Sequence, residues 1–154
     1  MEGDLLVYGS YGYTGALIAQ SAVAAGLEPI LAGRRAERVA GQATEFDLDH
    51  RVFSLEHSEI VERSVADGDA VLNGAGPFST TAEPLVTACL RTGTDYLDIA
   101  GNVDVLEWIA ALDAEATSED VALVPGVGFD VVPTDCLAAT LHGALPSGTR
   151  LTIA

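Results

Sequence analysis

Short runs of β-branched and other apolar residues alternate along the chain with longer runs whose apolar positions recur every three or four residues. That alternation predicts strands joined by crossover helices and argues against a sandwich or a helix bundle. Leu5 to Tyr8 reads as a first strand, followed by a helix from Tyr13 to Ala25 that closes at Gly26, a residue suited to the left-handed position after a helix. Pro29 to Ala32 gives a second strand, Ala36 to Thr44 a helix, Arg51 to Leu55 a third strand and Ser58 to Ala66 a short helix. Ala70 to Asn73 is a buried fourth strand that ends at a Gly-Ala-Gly-Pro break. A helix from Thr81 to Arg91 then places Pro84 in its first turn, where the missing N–H costs nothing, and pairs Leu85 with Cys89 and Val86 with Leu90 on one face. Tyr96 to Ile99 is a fifth strand. Asn102 caps a helix with Val105, Ile109, Leu112 and Ala116 on one stripe, and Val121 to Val124 is a sixth strand.

Six strands linked by helices predict an α/β, doubly wound parallel sheet of the Rossmann type, with strand order 3-2-1-4-5-6 and right-handed crossovers. Residues 1–125 account for that unit. Residues 126–154 hold a Gly- and Pro-punctuated loop, a helix from Pro133 to about His142, and Leu151 to Ala154, which reads as a strand with neither partner nor turn. On this reading the chain is truncated, and residues 126–154 connect to a second domain that is mostly absent.

Composition narrows the setting. The chain has 154 residues, 49% of them hydrophobic, enough for one substantial core. No apolar run approaches the roughly 18 residues of a membrane span, and Met1-Glu2-Gly3-Asp4 lacks the basic start of a signal peptide, so the expected location is cytoplasmic. Acidic residues number 23 against 7 basic ones, all of them Arg, for a net charge of −16. Such a surface repels phosphate backbones and argues against nucleic acid. It suits molar salt, where the Debye length falls to about 3 Å and self-repulsion is screened, so a halophilic cytoplasm is the expectation. Cys89 and Cys136 have apolar or small neighbours and read as buried free thiols; with His50, His57 and His142 they show no metal-ligand spacing.

The chemistry concentrates at Gly9-Ser10-Tyr11-Gly12-Tyr13-Thr14-Gly15, between the first strand and the first helix. Gly9 allows a sharp turn, Gly12 lets the backbone approach a pyrophosphate, and Gly15 lets the helix pack close. Free N–H groups from Gly12 to Thr14 would face the anion with the positive end of the helix dipole, and Ser10 and Thr14 could add hydroxyl donors. A G-x-x-G-x-x-G match is weak alone; its place between a strand and a helix strengthens it. A P-loop is excluded, since the chain has no Lys. The second strand ends in Ala32-Gly33-Arg34-Arg35, without the carboxylate an NAD site would carry for the ribose hydroxyls. A guanidinium can grip a 2′-phosphate, so Arg34, helped by Arg35, points to NADP, with NAD as the alternative. Asn73, Gly74, Gly76 and Pro77 leave the fourth strand beside the switch point, where cofactor passes. No catalytic residue is assigned and no metal is expected.

Taken together these stretches resemble the saccharopine dehydrogenase-like reductases, including the trans-acting enoyl reductases. The likeness runs through the glycine turn with Ala16-Leu17, Ala32 to Arg35, Gly76-Pro77-Phe78, Thr87-Ala88-Cys89 with Gly93 to Asp98, and Pro125 to Asp135, whose Gly-Phe-Asp and Pro-x-Asp elements are the most specific. The resemblance implies an NAD(P)-dependent oxidoreductase with a second α+β domain and a substrate cleft between the two. It places Gly128, Phe129 and Asp130 near the nicotinamide end; equally, the stretch could be structural, with Asp130 or Asp135 capping the helix after Pro133. One departure is Pro-Gly-Val before Gly128 in place of the commoner Pro-x-Cys.

Two functions follow. The first is the cofactor-binding part of an oxidoreductase that moves a hydride between NADPH and a small organic substrate, inactive as this segment alone, and associating, if it oligomerises, through the absent domain. The second is a non-catalytic, NADP-sensing regulatory module. A short-chain dehydrogenase is disfavoured because its Tyr-x-x-x-Lys pair is absent, and no Ser, Cys and His fall in triad-like order.

Overall fold

The computed structural model describes residues 4–152. Their elements run β1 (Leu5–Tyr8), α1 (Tyr13–Ala24), β2 (Ile30–Gly33), α2 (Ala36–Phe46), β3 (His50–Val52), α3 (Ser58–Val65), β4 (Ala70–Asn73), α4 (Phe78–Thr92), β5 (Asp95–Asp98), α5 (Val103–Ala110), α6 (Asp113–Glu119), β6 (Leu123–Val124) and α7 (Val132–Ala144). The strands form one sheet in the order β3-β2-β1-β4-β5-β6, parallel at every pairing. This is the doubly wound order expected from the sequence.

Alternation along the central strands divides the core into two layers. Leu6, Tyr8, Ala32 and Val71 join a large cluster with Val61 and Val65 of α3, Leu85, Val86 and Cys89 of α4, Val105 and Ile109 of α5 and Ala116 of α6. Leu31 points the other way, into a smaller cluster with Ala19 of α1 and Val39 and Ala43 of α2. The C-terminal ends of β1, β2 and β4 are thereby left between the two helical layers.

Several boundaries differ from the sequence reading, each for a local reason. Helix α4 starts three residues before Thr81 because the Pro77 carbonyl gathers the N–H groups of Thr80 and Thr81 and both of their hydroxyls. Pro84 consequently lies inside the helix, past its first turn. The stripe of Val105, Ile109, Leu112 and Ala116 belongs to two helices, since Leu112 N–H turns back to the Ile109 carbonyl and breaks the run. All four still meet the core, and Asn102 Oδ1 accepts the Asp104 N–H at 3.0 Å as the expected cap. After α1, Gly26 takes φ +81°, with Leu27 N–H bonded to the Ala22 carbonyl.

The end of the chain departs most. No residue of α7 is buried, so Cys136 is exposed rather than buried, and neither Asp130 nor Asp135 caps the helix, whose N-cap is Val131. Leu151 and Thr152 form no strand, having none to pair with, while Ile153 and Ala154 lie outside the described residues.

Candidate functional site: a cleft at the glycine turn

Strand β1 hands over to α1 through a turn pinned to its neighbour. The Gly9 and Ser10 N–H groups both donate to the Ala32 carbonyl, at 2.8 and 3.2 Å, and Gly9 adopts φ +81°. A Cβ on Gly9 would lie 2.8 Å from the Ala75 Cβ, and one on Gly15 would overlap the Gly9 carbonyl. Glycine is thus required at Gly9 by both conformation and space, and at Gly15 by the closeness of helix to turn. The Gly12 N–H, expected to be free, instead donates to the Gly9 carbonyl at 2.9 Å, closing the turn. Among the described residues the N–H groups of Tyr13, Thr14 and Gly15 have no backbone partner; they form the first turn of α1, at the positive end of a 12-residue helix that has no acidic side chain there.

These groups open onto a cleft of about 690 Å³. Gly9, Tyr11, Gly12, Tyr13 and Thr14 form its floor, Gly33 and Arg34 one wall, and Gly74, Ala75, Gly76 and Pro77 the other. The lining also includes Tyr8, Ser54, Leu55, Glu56, Thr80 and Thr81, which lie outside the glycine-rich stretches. The signal for Ser54 to Glu56 was topological: they follow β3, and such clefts are lined from the C-terminal ends of the strands. A third strand over Arg51 to Leu55 would hide Ser54 and Leu55 within the sheet, but β3 stops at Val52 and leaves them, with Glu56, in the loop.

Four residues of the cofactor set expected from the sequence lie outside this lining: Ser10, Arg35, Asn73 and Gly15, the last buried beneath the turn. Ser10 is fully buried behind the turn; its carbonyl accepts the Gln42 side chain at 2.9 Å and its hydroxyl has no partner among the described residues. Asn73 is also fully buried, and Arg35 is the N-cap of α2, outside the lining. Arg38, one turn into α2, was not foreseen. Its guanidinium stands 5.3 Å from the centre of the Tyr11 ring, and its Nη2 donates to the Tyr11 carbonyl at 3.4 Å. Among the described residues the ion pairs are Arg51 with Asp67 and Arg91 with Glu62, so Arg34, Arg35 and Arg38 are not neutralised by a carboxylate.

Three buried groups, Tyr8, Tyr96 and Cys89, are held in their protonated forms. Burial, aided by the neighbouring Tyr11, pushes the Tyr8 hydroxyl up to about 12 while Arg34 pulls the other way. Behind the wall, burial and then the Asp98 charge raise the Tyr96 hydroxyl well above the usual tyrosine range. Burial and then Asp95 push the Cys89 thiol up to about 12, which leaves it unreactive. The cleft can bind and orient an anionic dinucleotide, and its lining also holds the Glu56 carboxylate and the Tyr8 hydroxyl.

Gly128, Phe129 and Asp130 are not in this cleft. They follow β6, with the Val127 N–H on the Asp98 carbonyl at 2.8 Å and Gly128 packed so closely on Ile99 that a Cβ would lie 3.1 Å from that side chain's own. Phe129 and Asp130 project into solvent.

The residues present fit a dinucleotide: a glycine cradle that any Cβ would fill, unpartnered N–H groups at a helix start, and an unpaired guanidinium on the facing wall. A family model described as the saccharopine dehydrogenase NADP binding domain matches residues 5–124. A trans-acting enoyl reductase of Mycobacterium tuberculosis is 30% identical over 142 residues, covering 87% of this chain and 34% of the relative. One of Mycobacterium leprae is 31% identical over 144 residues, with the same coverage of 87% and 34%. The chain thus spans about a third of the length of these curated relatives. Among solved structures, apo saccharopine dehydrogenase from Saccharomyces cerevisiae superposes with a TM-score of 0.80 at 16% identity, over 94% of this chain and 32% of that one. A Citrobacter triphenylmethane reductase complexed with NADP(H) gives 0.61 at 15% identity, over 79% and 48%.

Proposed function

Because the chain belongs to the saccharopine dehydrogenase NADP binding domain family, we propose that the cleft at Gly9 to Gly15 is where its NADP is held and that it serves as the cofactor-binding part of an oxidoreductase. The carrying observation is that Tyr13 and Thr14, whose N–H groups have no backbone partner among the described residues, and the unpaired Arg34 line the same cleft. The N–H groups and the α1 dipole receive the pyrophosphate, Arg34 takes the 2′-phosphate, and Gly74, Gly76 and Pro77 face the ribose toward the nicotinamide. Arg35 supplies long-range field from the start of α2 without reaching the lining. NADPH, when bound, supplies a hydride; this chain binds it, orients it and shields its phosphates from water.

The acceptor is a small organic molecule, with a conjugated carbon–carbon double bond, as in the relatives' name, the first class to test. Residues 126–154 connect to a second domain that completes the substrate side near Gly128, Phe129 and Asp130; α7, which has no buried residue, supports that reading. By itself the segment binds but does not turn over, since the substrate side of the cleft belongs to the second domain. Among the described residues no helix is long and apolar enough to cross a membrane, and the acidic surface favours a cytoplasm rich in salt. Fluorescence titration with NADPH in molar KCl tests the central reading. Saturable binding that Gly12→Glu abolishes is the expected result, and absence of saturable binding to the folded wild type overturns it.

A further inference from the structure

A chain of polar side chains, with Asp98, Tyr96 and Asn73 fully buried and Thr81 half-buried, runs from behind the cleft wall to its lining. Asp98 accepts the Ala100 and Gly126 N–H groups on Oδ1, at 3.0 and 2.8 Å, and the Tyr96 hydroxyl on Oδ2 at 2.9 Å. The Tyr96 oxygen accepts from Asn73 Nδ2 at 3.1 Å, and the same amide nitrogen donates to Thr81 Oγ1 at 3.2 Å. Asn73 Oδ1 then accepts the Ala75 N–H at 3.0 Å, while Thr81 Oγ1 donates to the Ala75 carbonyl at 2.6 Å. Ala75 lies between Gly74 and Gly76 on the cleft wall and against Gly9 of the glycine turn.

The donors and acceptors run in one direction, and that direction has a source. A carboxylate can only accept, so Asp98 commits the single Tyr96 proton to itself. Tyr96 can then only accept from the other side, so Asn73 must present its NH2 group there. The Asn73 carbonyl oxygen is left facing Ala75, where an N–H awaits it. Reversing the polarity at Asp98 would oppose donor to donor at Ala75.

We propose that Asp98 and Tyr96 are positioning residues for the cofactor cleft: through the orientation of the Asn73 amide they fix the Ala75 peptide, and with it the Gly74–Pro77 wall. Asp98 Oδ1 holds the Gly126 loop in the same stroke, so one buried carboxylate sets both the cleft wall and the loop that carries Gly128 to Asp130. The inference rests on the cleft being the NADP site. A scaffolding role alone would predict that affinity for NADPH is indifferent to this chain once the protein is folded.

The test compares Tyr96→Phe and Asp98→Asn with Thr94→Val, which also removes a fully buried hydroxyl bond, to the Val65 carbonyl at 3.2 Å, but before the N-terminal end of β5. NADPH affinity and stability to denaturant are measured on each folded protein, and the Ala75 amide is followed by NMR. Expected is a roughly three- to tenfold loss of affinity in the first two variants, matching one lost hydrogen bond, with a shifted Ala75 signal. Thr94→Val should lose stability but keep both affinity and signal. Wild-type affinity in Tyr96→Phe, or an equal loss in Thr94→Val, overturns the inference. If Asp98→Asn fails to fold, Tyr96→Phe decides, as it keeps the ring. The cleft assignment is judged separately: NADPH must shift the amide signals of Tyr13 to Gly15 in the wild type, and binding that leaves them unmoved defeats that assignment whatever the variants do.

Discussion

The ring of Tyr11 fills the space that any side chain at Gly33 would need, a Cβ there lying 2.5 Å from Tyr11 Cε1. Two glycine-rich segments distant in sequence are therefore matched, one supplying a ring and the other the room for it. The obstruction is a ring and not backbone, so Gly33→Ala should fold. It should also push Tyr11 out from under the Arg38 guanidinium and weaken NADPH binding by roughly fivefold, about the worth of an exposed cation–π contact. Titration of the variant, with a thermal melt to confirm folding, checks this; unchanged affinity would show that Tyr11 takes no part in the cleft.

Arg34→Asp should reverse the preference between NADPH and NADH. The guanidinium lies on the wall of the cleft without a carboxylate partner, and an Asp would repel the 2′-phosphate while accepting from ribose hydroxyls. The ratio of the two dissociation constants should move by roughly two orders of magnitude, about twice the 1.4 kcal/mol of one tenfold step. A ratio that stays put would transfer the 2′-phosphate to Arg35 or Arg38.

Alkaline pH should destabilise the fold through Tyr96, whose hydroxyl is raised furthest and contributes above pH 10, and through Cys89 and Tyr8. The protons of Cys89 and Tyr8 are held to about 12 in the folded chain, whereas in the unfolded chain the thiol ionises near 9 and the phenol near 10. Folded values above unfolded ones mean that their stabilisation is complete below pH 9 and is lost as pH rises from 9 through 12. Cys89→Ala should lower stability at pH 7 by leaving a small cavity and should flatten the dependence above pH 9. Denaturant midpoints from pH 7 to 11 give the comparison, and parallel curves would refute it.

Salt should stabilise the protein continuously up to molar concentrations. Net charge is −16, and among the described residues Arg51 with Asp67 and Arg91 with Glu62 are the ion pairs that salt would weaken, so screening relieves far more repulsion than attraction. Unfolding midpoints in 0.1 M and molar KCl measure it; equal midpoints would dispose of the halophilic reading.

The parts of the fold legible in the sequence were those encoded locally. Leu5 to Tyr8, Ala70 to Asn73 and the glycine turn announce themselves by apolar runs and by residues that only a tight turn needs, and their sequence was enough for strand order. What escaped depends on long-range partners. Ser10 looked like a phosphate donor, yet the turn rotates it inward, where Gln42 from α2 takes its carbonyl. Gly12 looked free, yet Gly9 takes its N–H. Asn73 looked like a cofactor contact and Tyr96 like strand filler, and only their juxtaposition with Asp98 shows a chain of hydrogen bonds. Cys136 sits among apolar neighbours in sequence, but no element of the described fold covers α7.

That bare helix has a consequence for how the molecule melts. A helix of 13 residues without a buried one, in which Thr134 and Ala138 are half-buried, adds little to the heat capacity of unfolding and has a weak cooperative tie to the sheet. Its amides should exchange with solvent deuterium orders of magnitude sooner than those of β1 and β4, on a clock of local fraying and not of global unfolding. The chain thus keeps two thermodynamic times, slow in the strands that carry the cleft and fast in the helix beyond them.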